Sequence, residues 1–195
     1  MGYSDRTLAR TREFDEGEAL DAALRTFRRK GYEATTLPDL LEATGLARQS
    51  LYNAFGDKRE LFLKSLRRYA EGELERMAET LRSAPIREAI AAVFESVMRG
   101  KGHEYGCFLV NAGVELMPRD PEVGRIVASA LSQQEKVLAG ALRRAVRSAE
   151  LRLSPGQIGP TARFLVGVLQ GVVVLTKSGS RAARDAAALA LRAIE

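Results

Sequence analysis

Between Ala47 and Phe55 the chain gathers Arg48, Gln49, Ser50, Tyr52 and Asn53. These are long or amide-bearing donors and acceptors, the types that meet base edges and phosphates. A merely solvated helix face would more typically carry Glu and Lys pairs. No acid lies between Thr44 and Gly56, although five lie between Glu13 and Asp21. A phosphate-facing surface requires such a gap. The chemistry on offer is recognition, not bond making. His103 and Cys107 are the chain's one histidine and one cysteine, so an intramolecular disulfide and a zinc finger are excluded. Neither a nucleotide-binding glycine loop nor a nucleophile paired with histidine is present. The expectation is a protein that is not an enzyme, with no cofactor and no metal site.

Those five residues need a rod to present them. Leu51 and Phe55, one turn apart, give a short helix from about Arg48 to Phe55 a buried side. Before it, Thr36-Leu37-Pro38-Asp39 reads as a helix start: Thr36 can cap, Pro38 needs no donor in the first turn, and Asp39 suits the positive end. Leu37, Leu40 and Leu41 face inward, and Gly45 ends the turn in a left-handed conformation. From Glu16 to Lys30, Ala19, Leu20, Ala23, Leu24 and Phe27 make the stripe of an amphipathic helix that Gly31 stops. Gly56-Asp57 opens a longer helix near Lys58, with Leu61, Phe62 and Leu66 inward. Two short helices joined at glycine and braced by neighbours make a helix-turn-helix. A three-helix bundle with a tight turn would show the same geometry; the residue types on Arg48–Phe55 favour the DNA-reading form.

The run Thr35-Thr36-Leu37-Pro38-Asp39-Leu40-Leu41-Glu42-Ala43-Thr44-Gly45-Leu46, with Ser50-Leu51-Tyr52-Asn53-Ala54-Phe55-Gly56-Asp57-Lys58-Arg59-Glu60-Leu61 after it, resembles the N-terminal domain of TetR/AcrR-family transcriptional regulators. Ala22-Ala23-Leu24 through Phe27 and Gly31-Tyr32 extend the match, which covers residues 11 to 66. The resemblance implies an operator-binding site. Arg48, Gln49 and Asn53 would read bases, with Ser50 beside them. Thr36, Tyr52 and Lys58 would meet phosphates, and Arg10 and Arg12 would form an arm on backbone or minor groove. Two departures stand out. Ala47 replaces a frequent Ser or Thr cap, worth about 1 kcal/mol, and Ala54 replaces a common His or larger residue.

The domains expected are 1–66 for DNA binding, with its last helix continuing to about residue 82, and 67–195 for ligand binding and dimerisation. In the second part the sequence predicts helices over 86–98, 105–117, 121–150, 155–177 and 180–194, about nine in the whole chain and no strand. The fold class is all-α. The Tyr105–Met117 segment is nearly all apolar, which predicts burial on most sides. Within it Asn111 and Glu115 need partners, either Arg or backbone groups of a neighbouring helix or a ligand. Phe94, Met98, Cys107, Phe108, Asn111, Glu115, Phe164 and Val168 are the candidate lining of an effector pocket, which the resemblance places in this domain. Packing is the alternative for each of the apolar ones and for Cys107.

Gly167 and Gly171 with Leu175, and Ala183, Ala187 and Ala190, are small or apolar residues at helical spacing that let helices approach closely. They suit internal packing or self-association. The resemblance implies a homodimer built from the last two helices, and two reading helices spaced by a turn of DNA read a palindrome.

Charge adds a restraint. Residues 1–75 hold 13 Lys and Arg against 14 Asp and Glu, net −1, and the remainder 17 against 11, net +6. DNA contact would therefore rest on placed charges, not bulk basicity. No apolar run is expected to span a bilayer, and the polar first twelve residues do not read as a secretory signal. The expected partners are double-stranded operator DNA, an unknown small-molecule effector and a second copy, in the cytoplasm and without a membrane. An all-helical adaptor that binds only protein is the alternative.

Overall fold

The computed structural model describes residues 14–99, 105–177 and 181–194. Among these the chain forms nine helices and no strand: α1 (Glu16–Lys30), α2 (Leu37–Thr44), α3 (Arg48–Phe55), α4 (Lys58–Thr80), α5 (Ile86–Arg99), α6 (Phe108–Leu116), α7 (Pro121–Arg147), α8 (Pro155–Thr176) and α9 (Arg181–Arg192). Arg10, Arg12, His103 and Ser180 lie outside the described residues.

Local chemistry sets most of the starts. The Asp15 carboxylate accepts from the backbone N–H groups of Gly17 and Glu18 at the head of α1. Asp57 does the same for Glu60 in α4, and Asp120 for Glu122 and Val123 in α7. Each satisfies donors that a helix start leaves bare and places negative charge at the positive dipole end.

Packing then forms two apolar cores. The first gathers Phe27, Leu40, Leu51, Phe55, Leu61, Phe62 and Leu66 from α1–α4. It is not closed by residues 1–66: Phe108, Leu109, Ala112 and Leu116 of α6 and Val123, Ile126, Val127 and Ala130 of α7 belong to it. Phe62 meets Phe27 and Phe108 edge to face, with ring centres 5.1 and 5.4 Å apart. The second core joins α5, the latter part of α7, α8 and α9. Helix α7 therefore runs through both, entering the first near Val123 and the second near Leu138.

Three expectations are corrected here. Helix α6 starts at Phe108, not Tyr105, and buries one face only; Val114 is 80% exposed and Met117 is also exposed. Helix α8 is long and apolar enough to cross a membrane by length and composition, with a window of mean hydropathy 1.7. Its interrupting glycines and threonines hide that run in a residue-by-residue reading. Here one side of α8 packs on α5, α7 and α9, while Phe164, Gly167, Gly171 and Val174 lie exposed on the other. Finally, Ala183, Ala187 and Ala190 face their own subunit's core and are almost fully buried. They are not available to a second copy. The stripe of small residues lets α9 settle closely on α8, and it is Leu189 that α9 exposes.

Candidate DNA-binding face and its connection to an internal cavity

The first site is the outer face of α3. Leu51 and Phe55 anchor the helix in the core, so Arg48, Gln49 and Asn53 project from the opposite side and are exposed, with Ser50 and Tyr52 half-buried. The readers are already ordered among themselves. Gln49 Nε2 donates to Asn53 Oδ1 at 2.9 Å, and the Arg48 guanidinium lies 5.5 Å from the centre of the Tyr52 ring. Such pairing limits rotamer freedom before any partner arrives. Ala47 gives α3 no side-chain cap, so its first N–H groups remain open to an anion.

Thr36 stands at the head of α2 and Lys58 at the head of α4. Thr36 forms a capping box with Asp39: its hydroxyl accepts from Asp39 N at 3.3 Å, and Asp39 Oδ2 accepts from Thr36 N at 2.9 Å. Lys30 adds an ion pair to Asp39 at 2.6 Å. Together these hold the Asp39 carboxyl at about 2, below its ordinary value, the Lys30 contact being the largest cause and the Thr36 backbone and side chain the next. Lys58 Nζ sits 4.4 Å from the Tyr32 ring centre and near the Glu33 carbonyl.

The turn from α1 into α2 is held from the far domain. Glu115 of α6 accepts from Tyr32 N at 3.0 Å and from Glu33 N at 2.8 Å, one carboxylate oxygen each. Gly31 makes the approach possible: it has φ +82°, and a Cβ there would lie 3.1 Å from a Glu115 oxygen. Arg59 of α4 grips Asp120 through two bonds of 2.7 and 2.9 Å, holding that carboxyl below its usual range. Arg28 donates from Nε and Nη2 to the Gly106 carbonyl. The α1–α2 turn, α4 and α1, which pack around the reading helix, are thus tied to α6, to the cap of α7 and to Gly106 by charge-assisted bonds.

The second site is a cavity of about 890 Å³ among α1, α4, α5, α7 and α8. Of the expected pocket residues, Cys107 lines it. Phe94 is buried in the second core, and Met98 and Val168 pack against that core. Phe108 is buried in the first core, and Phe164 is 47% exposed on the outside of α8. Asn111 is engaged in a local tie, donating to the Tyr105 carbonyl and accepting from Lys177 Nζ at 2.9 Å. Glu115 has the backbone partners already described. Helical spacing gave these residues a common face but not the element that would cover it.

Residues that periodicity missed supply the wall: Arg28, Tyr69, Gln134 and Gln170, with Val97 and Leu169. One signal was present. In the buried row Val127, Ala130, Gln134, Leu138 and Ala141 of α7, Gln134 is the sole polar member. On the α4 side, burial pushes both the Tyr69 hydroxyl and the Cys107 thiol above their ordinary values. Burial thus favours the protonated thiol at Cys107.

Similarity to known proteins agrees with this geometry. The family model described as bacterial regulatory proteins, tetR family, matches residues 19–64, and the one described as tetracyclin repressor-like, C-terminal domain, matches residues 84–191. The chain is 35% identical over 162 residues to YezE, an HTH-type transcriptional regulator of Bacillus subtilis (strain 168), covering 81% of this chain and 84% of that protein. It is 30% identical over 184 residues to the HTH-type transcriptional repressor ComR of Escherichia coli (strain K12), covering 90% and 85% respectively. Among solved structures, a cysteine-substituted variant of the TetR family transcriptional regulator CifR, complexed with 26-bp double-strand operator DNA, superposes with a TM-score of 0.81 at 29% identity. That match covers 95% of this chain and all of the other.

Proposed function

The chain belongs to the TetR family of bacterial regulatory proteins and is a DNA-binding transcriptional regulator; from that premise we propose that it is a homodimeric repressor released from a palindromic operator by a small molecule. One observation carries the DNA-reading assignment: the acid-free outer face of α3, where Arg48, Gln49 and Asn53 stand exposed, Gln49 braced on Asn53 and Arg48 on Tyr52. Arg48, Gln49 and Asn53 read base edges in the major groove, Ser50 lies beside them, and Thr36, Tyr52 and Lys58 position the protein on phosphates. Arg10 and Arg12 would add an arm. Such a regulator works on chromosomal DNA in the cytoplasm.

A second copy covers the apolar outer side of α8. Phe164 and Val174 are exposed there, Leu189 of α9 is too, and Cβ positions built on Gly167 and Gly171 meet nothing within 4 Å. That leaves room for close helix approach from outside, with Leu175 at the margin. The effector occupies the cavity, whose walls include α1 and α4 of the reading domain. A ligand that binds better to one arrangement of those helices shifts the spacing of the two reading helices.

The decisive experiment compares binding to fragments flanking the chain's own gene with binding to random DNA. Arg48→Ala should weaken the specific complex by about 1–3 kcal/mol and relax sequence preference; equal loss on random DNA would contradict base reading. Lys58→Ala should weaken both and reduce the slope of affinity against salt by about one counterion. For the dimer, Phe164→Glu should yield monomers in sedimentation and lower operator affinity. A stable dimer of that variant would move the interface elsewhere.

A further inference from the structure

Two glutamines meet across the cavity wall where the two cores part. Gln170 Nε2 of α8 donates to Gln134 Oε1 of α7 at 3.1 Å. Gln134 is only 7% exposed, yet its Nε2 has no partner among the described residues. That nitrogen is not sealed in protein either, since no buried side-chain nitrogen or oxygen among the described residues lacks a partner. It opens into the cavity that both glutamines line. The carbonyl of Gln170 is likewise unused. The Gln134 nitrogen and the Gln170 oxygen therefore keep hydrogen-bonding capacity for a molecule in the cavity. Turning both amides over makes Gln134 the donor and leaves the Gln134 oxygen and the Gln170 nitrogen for the cavity instead, again one acceptor and one donor.

A molecule that covers these groups without replacing their hydrogen bonds to water loses about 1–3 kcal/mol for each. An apolar pair of the same shape would avoid that cost at this position. Met77, Val93, Val97, Leu169 and Val173 make the apolar part of a mixed wall. The rim is acidic. Arg68 engages Asp21 and Arg76 engages Glu73, and Glu71, Glu75 and Glu79 also belong to the lining. An anion entering past those carboxylates is repelled.

We propose that the cavity's effector is an uncharged molecule with an apolar body and a head that carries a carbonyl and an N–H on one edge, a primary carboxamide or lactam. The head pairs with Gln134 and Gln170, its carbonyl accepting from the free glutamine N–H and its N–H donating to the free glutamine carbonyl. Such two-point pairing rejects molecules lacking either group, because a buried glutamine group is then left bare. The body lies on the Val97 and Leu169 side and reaches toward Tyr69 and Arg28, so the bound molecule touches α7 and α8 at one end and the reading domain at the other. The assignment rests on the effector reading above and narrows it to a ligand chemistry.

The test uses the full chain and three probes of one shape: 4-butylbenzamide, its N,N-dimethyl derivative, which lacks the N–H, and 4-butylbenzoate, which is anionic. Affinity is read from the shift in melting temperature and from operator release. The primary amide should bind at least about tenfold more tightly than either comparator, the equivalent of about 1.4 kcal/mol. The double variant Gln134→Met, Gln170→Met should melt at or above the temperature of the natural chain and lose that preference. Equal binding of the three probes, or binding of none, overturns the assignment. So does a double variant that keeps the preference, or one that melts several degrees lower, since the pair would then be a structural bond. Operator binding without probe, measured in parallel, separates the two failures. If it persists while the amide is ignored, only the ligand chemistry falls; if it is absent, the regulator reading falls with it.

Discussion

Helices α2 and α3 are each eight residues long and stand next to one another, yet they are held in opposite ways. Helix α2 carries its own start: a complete capping box from Thr36 and Asp39, proline in the first turn, and an ion pair from Lys30. Helix α3 has no side-chain cap and no acidic residue in its first turn. What holds it is burial of Leu51 and Phe55 at its back and the turn at Gly56, whose N–H donates to the Tyr52 carbonyl. A helix of two turns is marginal in water by itself. The supporting helix can thus spend polar groups on its own end, while the reading helix keeps its polar groups for a partner and relies on the core for its existence.

The largest break in this contrast should come from the core side of α3. Leu51→Ala removes a fully buried anchor and should cost about 2–5 kcal/mol in urea unfolding, with loss of operator binding. A cost under about 1 kcal/mol would mean that α3 is held by something other than its buried face.

Next come the caps, where the two helices should respond in opposite directions. Thr36→Ala removes a working cap and should destabilise by about 1 kcal/mol. Ala47→Ser supplies a missing one and should stabilise by a similar or smaller amount, while filling N–H groups otherwise open to phosphate. Thermal unfolding of both variants checks the pair. Equal and negligible shifts would show that neither end depends on its cap.

The smallest effect is in acid. The Asp39 carboxyl titrates at about 2 in the folded chain against 3.8 ordinarily. Its contribution is present above the ordinary value and is lost as pH falls through the folded one. The decline should therefore run from about pH 4 down to about pH 2, and Asp39→Asn should flatten that part of the stability curve. Helix α3 contains no Asp, Glu or His and adds no such step. An unchanged acid limb in the variant would show that the Lys30 pairing is too solvated to matter.

The legibility of these features follows the distance over which their causes act. Gly31 and Gly45, the Thr36 cap, the Asp57 start of α4 and the apolar stripe of α1 were visible because cause and effect lie within one or two turns. The outward set Arg48, Gln49 and Asn53 was visible for the same reason, since Leu51 and Phe55 fix which side faces in. The cavity was not. Gln134 and Gln170 are 36 residues apart in the chain, and Glu115 finds its partners more than 80 residues away. Phe94 and Phe108 have the spacing of a lining, but each ended in a different core. The alanines of α9 had a small-residue stripe that fits a foreign helix as well as its own neighbour, and periodicity does not say which neighbour arrives.

The amino-acid order by itself determined the helices seen among the described residues, most of their starts and the face that α3 turns to solvent, because capping, propensity and amphipathic spacing are short-range forces. Tertiary structure alone decided that α6 closes the first core, that Glu115 holds the turn before α2, and that two amides face an open space between α7 and α8. Those outcomes depend on which surfaces exclude water together, and such pairings are fixed only when the whole chain packs.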